Sequence, residues 1–418
     1  MKKFICLLLA LSMIASITAC SGKSDSSGSS AVSSGKDVTI TLSEHVANIE
    51  SQSPHVAAIV KDFMKANPNI KIDMSGSEVE DHITKMKLAA QNNNLPDIIW
   101  LEQPVAKDMA AAGYLYDLTS AADSAGINNH LLDGLQNACT VNGKNYGFPS
   151  EIMMSGFYYN KAIFSKYNVK VPVTFDDFLK AVDTFNKNGI IPISDGAKSN
   201  FDVWAFQGML NRYGFFNKLD DLRSGKVSFT NDDFIHFYEK VKELRDHKAF
   251  SSNEVNMDYF QAVEQFTGGK AAMLDSGAWE IAKLEKSSIA KDIGFFFGPT
   301  FSDGVGEQMI GIKTSGGVYS VSAKAAKDPD KLSAIIKFFA YYYGDEGTSI
   351  IVNTNQLPTT KFSGKIDQNT HPVFATMVKA LNDNTWKSAK EPFSSLSTNV
   401  GNKLFESIWG VINGVYTP

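Results

Sequence analysis

Strand-type and helix-type segments alternate directly after the first 36 residues, and this order constrains the fold more than any other feature of the chain. Val38, Ile40 and Leu42 alternate with polar residues, as in a strand. A helix is predicted over 54–66, where apolar residues recur at helical spacing. The segments that follow are strand 70–74, helix 81–92, strand 97–101 and helix 104–112. This order implies crossover connections, a largely parallel sheet and the α/β class.

Helices predominate further along the chain, and several carry start signals. Thr174 precedes Asp177 by three residues, which predicts a capping box, and Thr230 with Asp233 predicts a second one. Asp328 followed by Pro329 predicts the start of another helix. About 380 residues remain after the N-terminal segment, enough for two lobes by ordinary domain sizes.

Charge and composition exclude several classes of partner. The formal net charge is −5, whereas nucleic-acid binding calls for a basic face, so no nucleic-acid partner is expected. The only arginines are Arg212, Arg223 and Arg245. Because Arg is the preferred residue for bidentate capture of phosphate and carboxylate, an anionic ligand is disfavoured.

The N-terminus predicts export and anchoring. Lys2 and Lys3 precede an apolar run that is too short to span a bilayer, which is typical of a signal peptide. Residues 17–20 (ITAC) resemble the lipobox of bacterial lipoproteins, in which the cysteine is lipidated after cleavage. We therefore predict a signal peptide over 1–19, then lipidated Cys20 and a Ser/Gly-rich tether over 20–36. An ordinary secretory signal with an incidental cysteine is the alternative.

The sequence predicts no motif for catalysis, cofactor binding or metal binding. Ser276 lacks the preceding glycine of a nucleophile elbow, and the histidines form no zinc pattern. Cys139 is expected to be a structural thiol, since no neighbour in sequence marks it as activated. A pair of catalytic carboxylates, as in glycosidases, stays open from sequence alone.

Aromatic residues instead stand beside short polar residues at the ends of predicted elements. An aromatic face packs on the apolar face of a sugar ring while carboxylates accept from hydroxyl groups, so this pattern favours a neutral polyol ligand. Core packing is the alternative for any one tryptophan. The residues concerned are Trp100 with Glu102, Glu151, Asp202 with Trp204, and Trp279.

Three stretches together resemble the extracellular solute-binding proteins of carbohydrate ABC importers, a family related to maltose-binding protein. The first runs from 142–149 (NGKNYGFP) through 158–161 (YYNK) to 171–178 (VPVTFDDF), where Phe175 replaces the usual tryptophan. The second is 266–273 (FTGGKAAM), followed by Gly277 and Trp279. The third is Gly316-Gly317, then an amphipathic helix and 357–358 (LP).

This resemblance implies a two-lobed periplasmic-binding-protein-like fold of type II. The expected lobes are 37–148 plus 317–358 and 149–316 plus 359–418, with crossings near 148–151, 313–317 and 357–360. A ligand would bind in the cleft without catalysis, and a monomer would deliver it to the transmembrane subunits of a permease. Lipid anchorage would keep the protein outside the cytoplasm at the cell membrane.

The same resemblance assigns candidate ligand-binding residues. Trp279 is expected to stack on the ligand and Glu151 to accept from its hydroxyl groups. Glu44 follows a strand, where α/β sheets present ligand-binding residues. The remaining candidates are Trp204, Asp202, Trp100, Glu102, Gly316 and Gly317. A polyamine or glycerol-phosphate binder is the alternative function, and a surface glycosidase is the third.

Overall fold

The computed structural model describes residues 36–198 and 202–418, so the predictions for 1–35, including lipidation of Cys20, lie outside the described residues. The strands are β1 (Val38–Glu44), β2 (Ile70–Gly76), β3 (Ile98–Leu101), β4 (Thr140–Val141), β5 (Lys144–Asn145), β6 (Phe148–Pro149), β7 (Ile152–Asn160), β8 (Ile191–Ser194), β9 (Ala271–Gly277), β10 (Ile293–Phe296), β11 (Ile310–Ser315), β12 (Val318–Val321) and β13 (Lys387–Ala389).

The helices carry most of the remaining chain. The α-helices are α1 (Ile49–Gln52), α2 (Pro54–Ala66), α3 (Val79–Gln91), α4 (Gln103–Ala111), α5 (Thr119–Ser124), α6 (Ile127–His130), α7 (Lys161–Lys166), α8 (Phe175–Lys187), α9 (Trp204–Leu210), α10 (Phe215–Arg223), α11 (Asp232–Asp246), α12 (Tyr259–Thr267), α13 (Ile281–Glu285), α14 (Pro329–Tyr342), α15 (Asp345–Asn353), α16 (Pro372–Leu381) and α17 (Thr398–Ile412). Short 3-10 helices span Asn211–Tyr213, Glu254–Asn256, Ala278–Glu280, Ala290–Asp292, Ala325–Lys327 and Phe393–Ser395.

A first sheet has the strand order β2-β1-β3-β12-β6. The strands β1, β2 and β3 run parallel, as the alternation of strands and helices predicts. The strand β12 is antiparallel to both β3 and β6. The sheet is therefore parallel only in its N-terminal part, because β12 is contributed by a chain segment that arrives from the second sheet.

That second sheet has the order β13-β11-β7-β9-β8, with β10 also paired to β7. Successive side chains of a strand point to opposite faces, and β7 shows this in adjacent aromatic residues. Phe157 packs into one apolar cluster, and Tyr158 packs into a different one. Both side chains are fully buried, so the long strand β7 joins two cores.

The first sheet has its own core, in which Ile40, Leu42 and Phe63 are buried. Full burial of an aliphatic or aromatic side chain stabilises a fold by about 1.5–3 kcal/mol. Cys139 is part of this core as a free, fully buried thiol, and burial raises its pKa to about 12. The prediction of a structural thiol is confirmed.

The predicted helix starts are right in two of three places. Thr174 and Asp177 form the capping box before α8, and Asp328 caps α14 with Pro329 as its first residue. The box at Thr230 is wrong, because Asn231 caps α11 by accepting from the backbone N–H of Phe234 at 3.3 Å. Asn is at least as good an N-cap as Thr, so the helix begins one residue later.

Candidate functional site

Two adjacent segments carry the chain between the sheets. One links β6 to β7 through Ser150 and Glu151, and the other links β11 to β12 through Gly316 and Gly317. The backbone N–H of Ser150 donates to the carbonyl of Gly317 at 3.0 Å, and that of Gly316 donates to the carbonyl of Glu151 at 3.1 Å. These bonds hold the two crossings side by side.

A cavity of about 740 Å³ opens beside these crossings. Its wall contains residues that follow β1 and β3 of the first sheet and residues that follow β9 and β13 of the second. Ligand pockets of roughly 300–1,000 Å³ are typical of small-molecule sites. The cavity is thus large enough for a ligand of one to a few rings.

Trp100, at the end of β3, forms the wall nearest the crossings. Its indole N–H donates to the hydroxyl of Ser150 at 3.0 Å, and the imidazole of His45 is stacked on its face with ring centroids 3.7 Å apart. A Cβ atom at Gly317 would lie 2.3 Å from Trp100 Cε2, so only glycine leaves room for this indole. Gly317 therefore allows the indole of Trp100 to pack directly against the backbone of the crossing.

An aromatic group lies on the side of the second sheet. Trp279 stands in the 3-10 helix after β9, and its indole N–H donates to the hydroxyl of Tyr259 at 2.6 Å. That hydroxyl also lies 2.6 Å from the hydroxyl of Ser276. Trp204 begins α9, and its ring meets that of Trp279 edge-on with centroids 5.3 Å apart. Both tryptophans are partly exposed and line the cavity.

Five partly or fully buried carboxyl groups complete the interior. Burial raises the pKa of Glu102 to about 7 and that of Asp202 to about 8. Burial, followed by the charges of Glu102 and Glu151, raises the pKa of Glu391 to about 8. Burial also raises the pKa of Glu151 and of Glu280. These groups all favour their neutral form more than an exposed carboxyl does.

His45 differs from these carboxyl groups, because the shift in its pKa favours the charged form and not the neutral one. Burial disfavours its protonated form, but the contact with Glu44 and the charges of Glu151 and Glu102 raise its pKa above the ordinary value. The Nδ1 atom of His45 lies 3.3 Å from the Oε2 atom of Glu44. A positive charge is thereby favoured at the base of the wall formed by Trp100.

Eight of the nine residues predicted for ligand binding line this one cavity: Trp100, Glu102, Glu151, Asp202, Trp204, Trp279, Gly316 and Gly317. Glu44 is not among the lining residues. It is fully buried behind them and accepts from the hydroxyl of Tyr319 at 2.6 Å.

Most of the other lining residues were not predicted from the sequence, and four of them bear on the chemistry of the interior: His45, Tyr259, Glu280 and Glu391. His45 and Glu280 are adjacent in sequence to the candidates Glu44 and Trp279, so adjacency could have found them. Tyr259 and Glu391 carry no such signal, because they come from a helix start and from the segment after β13.

Neither a metal-binding cluster nor a helix able to span a membrane is found among the described residues. Within 36–198 and 202–418, no group of three or more His, Cys, Asp or Glu side chains is arranged to hold a metal ion. None of the helices in these two ranges has the length and apolar character needed to span a bilayer.

Comparison with known proteins identifies the class. The family described as bacterial extracellular solute-binding proteins matches residues 58–371, and the chain belongs to this family. A multiple sugar-binding protein of Streptococcus mutans serotype c is 25% identical over 346 residues, covering 77% of this chain and 78% of the relative.

Solved structures support the same fold. A structure from work on xylan utilization by the thermophilic bacterium Caldanaerobius polysaccharolyticus has a TM-score of 0.77 and 27% identity, covering 91% of this chain and 97% of that one. A chitin oligosaccharide binding protein has a TM-score of 0.79 at 23% identity, covering 92% and 96%, and shows the fold alone. The predicted two-lobed α/β fold of type II is confirmed, and membership in an extracellular family makes the protein extracytoplasmic.

Proposed function

We propose that this protein captures a sugar or oligosaccharide outside the membrane and delivers it to the permease of an ABC importer. The relative from Streptococcus mutans is a multiple sugar-binding protein, and the structure from Caldanaerobius polysaccharolyticus comes from work on xylan utilization. In this role the protein binds its ligand and releases it chemically unchanged.

One observation carries the sugar assignment. Trp204 and Trp279 present partly exposed rings at 64° to each other, inside a cavity that also contains buried carboxyl groups. An aromatic face covers the C–H side of a pyranose ring, and carboxyl oxygens accept from its hydroxyl groups. Because Trp279 is fixed by its bond to Tyr259, little side-chain freedom would be lost on binding.

We assign roles to the predicted residues on this basis. Trp279 and Trp204 stack on the ligand, while Glu151, Asp202 and Glu102 accept from it. Trp100 closes the wall, and Gly316 and Gly317 leave space for Glu151 and Trp100 respectively. Glu44 acts from behind the wall through its contact with His45.

The proposed lobes are 37–148 plus 317–358 and 149–316 plus 359–418. The division is supported by the strands, since β1, β2, β3, β6 and β12 form one sheet and β7 to β11 with β13 form the other. Closure of the lobes about the crossings would remove the ligand from water and create the face that a permease recognises.

The proposed anchor is a lipid on Cys20, after removal of 1–19, with 20–36 as a tether. It is supported by the lipobox-like ITAC sequence and by the extracellular family. Mass spectrometry of the protein from host membranes would detect the lipidated N-terminal cysteine. Recovery of a Cys20→Ala protein in the membrane fraction at the parent level would contradict the anchor.

Isothermal titration with mono- and oligosaccharides of several linkages tests the sugar assignment. We expect micromolar or tighter binding by at least one member, which corresponds to roughly −8 kcal/mol. Silence across the sugars together with tight binding of a polyamine would overturn it. A glycerol phosphate is disfavoured because Lys283 is the only Lys or Arg lining the described cavity. Turnover of a chromogenic glycoside would instead establish a glycosidase.

A further inference from the structure

The cavity has an unusual charge balance for a site that would bind only neutral sugars. Eight carboxyl residues line it, namely Glu78, Glu80, Asp81, Glu102, Glu151, Asp202, Glu280 and Glu391. Lys283 and the two histidines His45 and His55 are the only basic residues among the lining residues that the structure describes. Glu78, Glu80 and Asp81 are exposed at the rim, so the excess of carboxyl groups in the interior rests on the other five.

These five interior carboxyl groups have no Lys or Arg partner among the described residues, and burial favours their protonated form instead. Within 36–198 and 202–418, none of them forms an ion pair with Lys or Arg. Glu391 and Glu280 are 4% and 5% exposed, yet Glu391 Oε1 and Glu280 Oε2 have no hydrogen-bond partner. A buried polar atom without a partner costs free energy, and such atoms in a cavity wall are most simply satisfied by a ligand.

Three of the five converge from separate parts of the chain. Glu102 follows β3, Glu151 lies at the first crossing, and Glu391 follows β13. The side-chain amide of Gln103, next to Glu102, donates to the carbonyls of Ser315 and Gly316 at 2.7 and 3.0 Å, and the N–H of Gly316 donates to the carbonyl of Glu151 at 3.1 Å. Glu102 and Glu151 therefore lie at the same crossing, and their charges contribute to the raised pKa of Glu391. His45 lines the same cavity, and its charge acts on Glu102 and Glu151.

Ligand chemistry follows from this convergence. A sugar hydroxyl donates one hydrogen bond but brings no charge, so the carboxyl groups around it would keep the preference for the neutral form that burial gives them. An ammonium group brings a full positive charge and three donors. It would pair with several carboxylates at once and satisfy the unpartnered oxygen of Glu391.

We propose that the ligand is a saccharide with a free, protonated amine, whose ammonium group is held by Glu102, Glu151 and Glu391 while a sugar ring stacks on Trp279. This inference rests on the proposed sugar-binding function and narrows its substrate class. N-acetylation would remove both the charge and two of the donors, so the acetylated sugar is a poor ligand.

Titration calorimetry with matched sugars tests the inference. The probes are glucosamine and its β-1,4 oligomers, the corresponding N-acetylated sugars, the corresponding glucose sugars, and spermidine. Titrations are run near about pH 6.5, below the range of about 7.7–8.0 in which an amine beside electron-withdrawing groups titrates. We expect an amine-bearing sugar to bind at least about tenfold more tightly than its neutral and acetylated counterparts, as is typical of hydrogen bonds to charged groups.

Glu391→Gln should reduce affinity for the amine-bearing sugar by at least about tenfold more than it reduces affinity for the neutral sugar. Glu264→Gln is the matched control, since Glu264 is exposed on α12 outside the cavity and should change neither affinity. A melting curve of each variant separates lost binding from lost folding.

The outcomes distinguish the two proposals. Tighter binding of a neutral or acetylated sugar overturns the amine inference and leaves the sugar-binding function standing. Binding of spermidine but of no sugar overturns both the saccharide class and the sugar-binding function. No binding by any amine-bearing probe, or an unchanged preference in Glu391→Gln, also overturns the inference.

Discussion

The imidazole of His45 lies flat on the indole of Trp100, with ring centroids 3.7 Å apart and 17° between the ring planes. Through this stacking, a titratable side chain is in direct contact with the indole that forms one wall of the cavity. His45 contacts the buried Glu44 behind the wall, while the edge of Trp100 is held at the crossing by Ser150. The stacked pair is thus in contact with the first sheet through Glu44 and with the crossing through Ser150, and it lines the acidic cavity.

Replacing His45 with phenylalanine keeps an aromatic ring on Trp100 and removes the positive charge. The folded-state pKa of His45 is raised, so its charged form stabilises the protein fully below the unfolded-state pKa of about 6.5. This contribution disappears as the pH rises through the raised folded-state value. We expect His45→Phe to lower the urea midpoint more at about pH 5.5 than at about pH 9. Equal losses at both pH values would contradict the assignment of charge to His45.

Truncation of Trp279 should weaken ligand binding without unfolding the protein. Trp279→Ala removes a fixed aromatic face, and we expect at least about tenfold weaker binding of the sugar found by titration. Trp386→Ala is the matched control, because Trp386 packs against Phe297 outside the cavity. The control should lower the melting temperature and leave affinity unchanged. Parent-like affinity in Trp279→Ala would remove this residue from the site.

A methyl group at Gly317 should disturb the wall next to the crossings. In Gly317→Ala the new Cβ would lie 2.3 Å from Trp100 Cε2 and 2.5 Å from its Nε1, so the indole must move off Ser150 and His45. Overpacking of this kind costs about 1–3 kcal/mol, and we expect that loss in urea unfolding together with weaker binding. Gly208→Ala is the control, since its nearest neighbour is the flexible Ile312 side chain at 3.3 Å. Similar effects of the two substitutions would argue against a special role for Gly317.

Glu391 should make the unliganded protein less stable as the pH rises. Its folded-state pKa of about 8 lies above the ordinary glutamate value of 4.5, so the folded state holds a proton that the unfolded state loses. Stability therefore falls between about pH 4.5 and about pH 8. We expect Glu391→Gln, which stays neutral, to raise the melting temperature at about pH 9 and to change it little at about pH 4.5. A gain that is independent of pH would contradict this explanation.

Local sequence patterns predicted most of the N-terminal elements. The helix predicted over 54–66 is α2 with the same limits, and the strand predicted over 70–74 lies within β2. These patterns succeed because the apolar period and the end signals are local properties. The start of α11 was missed by one residue because Thr230 and Asn231 are both good caps, and only Asn231 accepts from the backbone of Phe234.

The cavity was predictable only where a lining residue stands in a family motif or beside a strand end. Trp279 was found through its motif and Trp100 through its place after β3. Glu391 could not be found, because it is separated by hundreds of residues from Glu102 and Glu151, whose charges act on it. Glu44 was predicted to follow the first strand, whereas it is the last residue of β1 and accepts from the hydroxyl of Tyr319 behind the cavity wall.

The sequence by itself determined the α/β class, the predicted export signal and the family motifs, because each depends on residues that are near one another in the chain. The tertiary structure alone decided which carboxyl groups share a cavity and which rings face it. Their pKa shifts arise from burial and from neighbours distant in sequence, so no local pattern encodes them. The narrower inference of an ammonium-bearing sugar rests on that convergence of Glu102, Glu151 and Glu391 around one cavity.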